Sequence, residues 1–178
     1  LVVEAQGLQR IGSAVPGLTP QVVHADPQWL VLEWVEAGRP TRSAARDLGR
    51  RLAALHRCSP GHFGDGPEHG RIGSVAMPAG RFDSWPQMYA ELRLRPLLTT
   101  DLPACAELVE VLSDAPEWAG PPEPASLLHG DLWAGNLIWC DEPRLVDPAC
   151  HVGHRETDLA MLALFGAPHL DELLQTYD

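Results

Sequence analysis

The stretch His129-Gly130-Asp131-Leu132-Trp133-Ala134-Gly135-Asn136 sets a carboxylate and a carboxamide five positions apart, and Asp147 ends an apolar run eleven residues further on. Reduced to chemistry, the pattern is His-x-Asp-x-x-x-x-Asn followed by a more distant Asp. Phosphoryl transfer to an alcohol asks for this set. One carboxylate accepts a hydrogen bond from the attacking hydroxyl, while a hard divalent cation takes oxygen ligands from an Asn carbonyl and an Asp carboxylate. A loop between short strands can hold such groups at fixed separation and leave them open to substrate. An Asp beside a Gly is also an ordinary turn, and His-Gly-Asp alone is a weak signal. The joint match weighs more, because Asn136 is the only asparagine in the chain and falls at the required offset.

The elements that must position these groups can be read from periodicity. Glu4 to Ile11 reads as a short helix. Two β-branched runs, Gln21 to His24 and Trp29 to Val35, flank Ala25-Asp26-Pro27 and predict a hairpin. Glu36-Ala37-Gly38-Arg39-Pro40 then breaks the pattern and marks a lobe boundary. From Thr41 to Arg57, Ala45, Leu48, Leu52 and Leu55 recur at helical spacing, with Arg42, Arg46, Arg50 and Arg51 as a solvated face. A glycine-rich loop follows to Arg81. Ser84 with Gln87 predicts a capping box for a helix to Leu94, Pro86 being tolerated in the first turn. Asp101 is expected to cap a further helix burying Cys105, Leu108, Val109 and Leu112. Three short extended runs, Ser126–Leu128, Leu137–Cys140 and Arg144–Val146, surround the chemical residues, and a helix from Asp158 to Phe165 stops at Gly166. Strands, helices, a strand-rich patch and a helix make an α+β order, not an alternating one.

Composition narrows the partners. A net charge of −11 disfavours nucleic acid, whose phosphates demand clustered cations. No apolar run is long enough to span a bilayer. Cys58, Cys105, Cys140 and Cys150 form no CxxC pair, so reduced thiols and a cytoplasmic setting are expected. All 13 basic residues are arginine. The chain opens without Met and without the pattern of a signal peptide, and it is expected to be an internal portion of a longer protein.

The His-x-Asp-x-x-x-x-Asn pattern resembles the catalytic loop of protein kinases and aminoglycoside phosphotransferases. The fuller strings, Asp131-Leu132-Trp133-Ala134-Gly135-Asn136, Asp147-Pro148-Ala149 and Gly153-His154-Arg155-Glu156-x-Asp158-Leu159-Ala160-Met161, resemble the fructosamine kinase (ketosamine 3-kinase) family. Leu30-Val31-Leu32-Glu33-Trp34, Leu52-Ala53-x-Leu55-His56, Trp85 and Arg93-Leu94 fit the same family in order. The resemblance implies a protein-kinase-like two-lobe fold, with residues 1–36 as a remnant of the nucleotide lobe and hinge and 37–178 as a mainly helical lobe cut short at its C-terminal end. It implies ATP and Mg2+ as cofactors, and a small ketoamine or glycated protein as substrate. Asp131 would act as the base, and Asn136 and Asp147 would hold the metal. The backbone at Glu33, Trp34 and Val35 would meet adenine. Glu4 would pair with a strand lysine, Trp133 would stack on substrate, and His129 and Asp158 would be structural. The glycine-rich phosphate loop and that lysine should precede Glu4 and are absent from this sequence.

Other readings stand beside these. Trp133 could equally pack its own loop. Cys150, His151 and His154 suggest zinc only weakly, for want of a fourth ligand, and are expected to be surface or loop groups. Arg155 and Glu156 could touch substrate or form an internal ion pair. An aminoglycoside or other small-alcohol phosphotransferase would use the same carboxylates, and a non-catalytic kinase-like module is the alternative of a different class.

Overall fold

The computed structural model describes residues 1–98, 103–114 and 116–177. Its centre is helix α2 (Arg42–His56), begun by Thr41, whose hydroxyl accepts the Ala44 amide at 3.1 Å. Such a cap satisfies one of the amides that a helix start leaves without a partner. Ala45, Leu48, Leu52 and Leu55 are wholly buried along one stripe. They share a core with Ile11 and Leu18, with Leu127, Leu132 and Leu145 from the strand-rich patch, and with Leu162 and Leu173 from the last two helices. Arg42, Arg46 and Arg50 face water as expected. Arg51 does not: it is held by Asp47 and by the Pro143 carbonyl at 3.0 Å.

Helix α1 (Val2–Ala14) runs beyond the expected span at both ends and buries Ala5, Gly7, Leu8 and Ile11. Strands β1 (Val22–Ala25) and β2 (Leu30–Leu32) form the expected antiparallel hairpin. Its turn is built by Asp26, whose Oδ1 accepts the Gln28 and Trp29 amides at 2.7 Å each. The glycine-rich segment after α2 is loop, pinned by a small hairpin of β3 (Arg71–Ile72) and β4 (Val75–Ala76) and by a Phe63–Phe82 bridge.

The helix that starts at Trp85 departs from expectation. Ser84 makes no side-chain cap bond, so the capping box does not form; Pro86, with φ already set for a helix, starts the first turn instead. Helix α3 (Trp85–Tyr89) then widens into a π turn over Ala90–Leu94 and tightens into a 3-10 turn over Arg95–Leu97. In α4 (Pro103–Asp114), Val109 is buried but Leu108 is 54% exposed, contrary to the expected inward face. The expected cap, Asp101, and the side chain of Cys105 lie outside the described residues.

Strand β5 (Ser126–Leu128) pairs antiparallel with β8 (His151–Gly153), and β6 (Leu137–Ile138) pairs with β7 (Arg144–Leu145). Helix α5 (Glu156–Phe165) ends at Gly166, and α6 (Leu170–Tyr177) packs along α2. The loop 129–136 therefore leaves β5 and enters β6, and Asp147 follows β7. Among the described residues no helix is long and apolar enough to cross a membrane.

Thr41→Ala should lower stability by about 1 kcal/mol through loss of the α2 cap. Urea unfolding of the two proteins measures it.

Candidate active site

The loop that carries Asp131 is fastened from below by one buried carboxylate. Asp158, in the first turn of α5, accepts the backbone amides of His129 and Gly130, each at 2.8 Å. His56, near the end of α2, adds its Nε2 at 3.1 Å and joins its Nδ1 to the Tyr177 hydroxyl at 2.7 Å. Burial pushes the Asp158 carboxyl up, but the bond and charge of His56, the charge of His129 and the Gly130 amide outweigh it and hold the carboxyl below its usual range. Gly130 needs to be glycine twice over. Its φ is 85°, and a Cβ there would run into the Ala149 carbonyl.

His129 is fully buried, and burial lowers its pKa below the ordinary histidine value. Its Nε2 donates to the Val146 carbonyl at 2.9 Å, and its Nδ1 accepts the Asp131 amide at 3.3 Å. The ring thus links the Asp131 loop to the residue before Asp147. Asn136 closes the other end. Its Nδ2 donates to the Asp131 carbonyl at 2.8 Å and to Asp131 Oδ2 at 3.3 Å, while its own carbonyl accepts the Val146 amide at 3.1 Å. These bonds bring Asp131, Asn136 and Asp147 to one corner.

Glu4 reaches the same corner. Gly7 of α1 lies directly on the segment after β7: a Cβ at that position would sit 3.0 Å from Cys150 Cβ and 3.1 Å from Pro148 Cγ. That contact lays the first turn of α1 against Asp147. Burial, and then a hydrogen bond and the charge of Asp147, raise the Glu4 carboxyl above its usual range. Asp147 itself has a φ of 53°, a conformation uncommon outside glycine and found at functional turns.

This donor set fits a magnesium ion. With Nδ2 engaged, Asn136 Oδ1 has no donor among the described residues, and two neighbouring carboxylates disfavour each other's charge until a cation enters. No group of three or more His, Cys, Asp or Glu side chains among the described residues surrounds a single point.

The expected hinge follows β2. The Glu33 amide donates to the Gln21 carbonyl at 2.9 Å, and Gly38 bonds the Trp139 carbonyl beside β6. Among the described residues, the Glu33 carbonyl and the Val35 amide have no backbone partner. Trp34 is 85% exposed, and its Nε1 donates to Glu36 Oε2 at 3.1 Å.

Trp133 is placed on its own loop, its ring against Gly135 and 6.3 Å from that of Phe165, with 41% of the residue exposed. It does not line the cavity that Asp131 faces. That cavity, of about 360 Å³, lies between α3 with its π turn, the β3–β4 hairpin and α5. Cys150, His151 and His154 are all buried; Cys150 and His154 lie in loop, one of the two expected settings, while His151 starts the strand His151–Gly153, which is too short to show in the sequence. Arg155 makes the internal pair, with Glu123 at 2.6 and 2.9 Å. His56, Arg93 and His151 escaped the sequence reading as site residues. Only His56 had a local signal, as the one polar residue closing the buried stripe of α2.

A two-sided site of this kind, metal-type oxygens on one flank and a cavity on the other, on helices with small sheets, is the fold of protein-kinase-like phosphotransferases. Likeness to a macrolide 2'-phosphotransferase type I supports the fold alone, with a TM-score of 0.55 and 20% identity over 98% of this chain and 63% of that one. The family model for fructosamine kinase matches residues 2–178, and the chain belongs to that family. A probable ketoamine kinase of Thermus thermophilus is 39% identical over 168 residues, covering 92% of this chain and 60% of that protein. A crystal structure of a candidate fructosamine-3-kinase from Thermobifida fusca superposes with a TM-score of 0.88 at 40% identity, covering 99% of this chain and 64% of that one. The chain spans about three-fifths of the length of the curated relatives it matches.

Two outcomes follow from the buried groups. Asp158→Asn should cost about 3 kcal/mol, because an amide cannot accept from all three donors; urea unfolding, with faster hydrogen exchange at the His129 and Gly130 amides, reads it. His151 is pushed down to about 4, chiefly by burial. In the unfolded chain it titrates near 6.5, so the unfolded state binds the extra proton between these values and stability falls as pH drops through that window. The loss should approach roughly 3 kcal/mol, and His151→Gln should remove it, as measured by urea unfolding at pH 7 and pH 4.5.

Proposed function

We propose that the whole protein is an ATP-dependent kinase that phosphorylates a sugar hydroxyl of a fructosamine or related ketoamine adduct. The observation that carries this reading is the position of Asp131 between two unlike surroundings. On one flank Asn136 and Asp147 offer hard oxygens. On the other lies a largely apolar cavity of about 360 Å³, within the size range of small-molecule sites. Family membership and the ketoamine kinase relatives support the choice of acceptor.

In this reading Asp131 accepts a hydrogen bond from the acceptor hydroxyl and takes its proton as the oxygen bonds to the γ-phosphorus. The bond from that phosphorus to the bridging oxygen breaks, and ADP leaves. Magnesium, when bound, supplies charge neutralisation at the phosphates. Asn136 both offers Oδ1 to the ion and orients Asp131 through Nδ2. Asp147 is the second ligand. Glu4, beside it, is positioned to pair with a lysine from the nucleotide lobe, of which residues 1–36 are part, residues 37–178 forming the helical lobe. The Glu33 carbonyl and Val35 amide are free to bond adenine, with Trp34 contributing backbone only. Trp133 stiffens the loop, and any sugar stacking falls to its exposed edge. The free thiols of Cys58, Cys140 and Cys150 suit a reducing, cytoplasmic setting.

Asp131→Asn in the full-length enzyme should keep ATP affinity and lower turnover by about a thousandfold or more. Single-turnover phosphorylation and nucleotide titration check the two halves. A substrate panel tests the wider assignment: phosphorylation of an aminoglycoside but of no ketoamine rejects the acceptor class. Failure to bind nucleotide would point to a non-catalytic module.

A further inference from the structure

The cavity beside Asp131 holds two nitrogen-bearing side chains that the transfer step does not use. The first is Arg93. Its Nη1 donates to the Pro78 and Leu92 carbonyls at 2.8 and 3.2 Å, and its Nε and Nη2 meet no acceptor among the described residues. Neighbouring arginines are neutralised, Arg95 by Glu91 and Glu110 and Arg81 by Asp65. Arg93 has no such carboxylate among the described residues, and burial lowers its pKa, offset only in part by Tyr89. A half-buried guanidinium lacking an anion is a costly arrangement that a bound carboxylate would relieve.

The second group is His151, which lines the same cavity and is only 4% exposed. Its Nδ1–H donates to the Ala149 carbonyl at 2.8 Å, which leaves the Nε2 lone pair without a donor among the described residues. The π turn is what brings Arg93 here. The wide turn over Ala90–Leu94 presents Leu92, Arg93 and Leu94 together to the cavity, where a regular helix would rotate them apart. The remaining wall is mainly apolar, with Trp85, Met88 and Met161, and includes Tyr89 and Thr157.

We propose that this cavity selects an acceptor bearing a carboxylate close to the glycated nitrogen, a ketoamine of a free amino acid, with Arg93 binding the carboxylate and His151 Nε2 accepting a hydrogen bond from the amine or a hydroxyl. The inference rests on Asp131 facing the acceptor from this side. In such a molecule the carboxylate is one carbon from the nitrogen, so a single small cavity can hold sugar and anion together. A lysine side chain glycated within a protein brings no carboxylate near that nitrogen. Asp131 repels an anion in the same cavity, and Arg93 opposes that repulsion.

The test compares kcat/KM of the full-length enzyme for fructosyl-glycine, for fructosyl-ethylamine, which lacks the carboxylate, and for a peptide glycated on a lysine side chain. Fructosyl-glycine should be preferred about tenfold or more over each, through KM. Arg93→Gln should narrow the ratio of fructosyl-glycine to fructosyl-ethylamine to within about twofold, and Arg93→Lys should restore part of it. Equal efficiencies in the parent enzyme, or preference for the glycated peptide, overturn the inference whether or not the variants fold, and leave the proposed function standing. Phosphorylation of none of the three overturns both.

Discussion

Asp158 is fully enclosed, and an enclosed carboxylate must have its oxygens bonded or it would not stay ionised. Its partners are two consecutive amides of the loop that carries Asp131 and one imidazole from α2. The bonds that keep this charge tolerable are therefore the bonds that fix the start of the loop. Tyr177 extends the chain through His56, so α2, α5 and α6 all bear on the position of Gly130. The loop's own His129, Gly130 and Asn136 complete the hold, and Trp133 remains partly at the surface.

Around that anchor the molecule separates two kinds of environment. Toward α1 lie Asn136, Asp147 and Glu4, a set of oxygens with no arginine or histidine ion pair among the described residues. Toward α3 and α5 lie mainly apolar side chains, with a guanidinium that meets no carboxylate among the described residues. A strongly acidic chain without lysine can still serve phosphate chemistry, because the cations required are few and local.

Much of this was legible in the residues. The α2 stripe follows from helical periodicity, and the β1–β2 hairpin and the short strands around the loop from apolar runs bounded by turn residues. The loop itself showed because carboxylate, carboxamide and carboxylate are rare together at those offsets. What stayed hidden depends on contacts between segments distant in sequence. The pair of β5 and β8 joins a three-residue strand to another twenty-three positions later, and neither carries a periodic signal. The π turn arises in a stretch that reads as plain helix. The expected capping box at Ser84 failed because local pattern could not show that Pro86 would start the helix unaided. Arg93 and His151 look like any polar residues until the cavity is assembled around them.

Gly7 has a consequence for how the two halves of the site meet. Its hydrogen faces Cys150 and Pro148 with scarcely room for a methyl group, so the gap between α1 and the strand end is set by what is missing from position 7. Glu4 lies one turn earlier on the same helix. A bulkier residue at position 7 would act as a wedge under α1, tilting that turn outward and opening the distance from Glu4 to Asp147 with every oxygen donor still in place. The chemistry at this corner is tuned by a spacer one hydrogen atom thick.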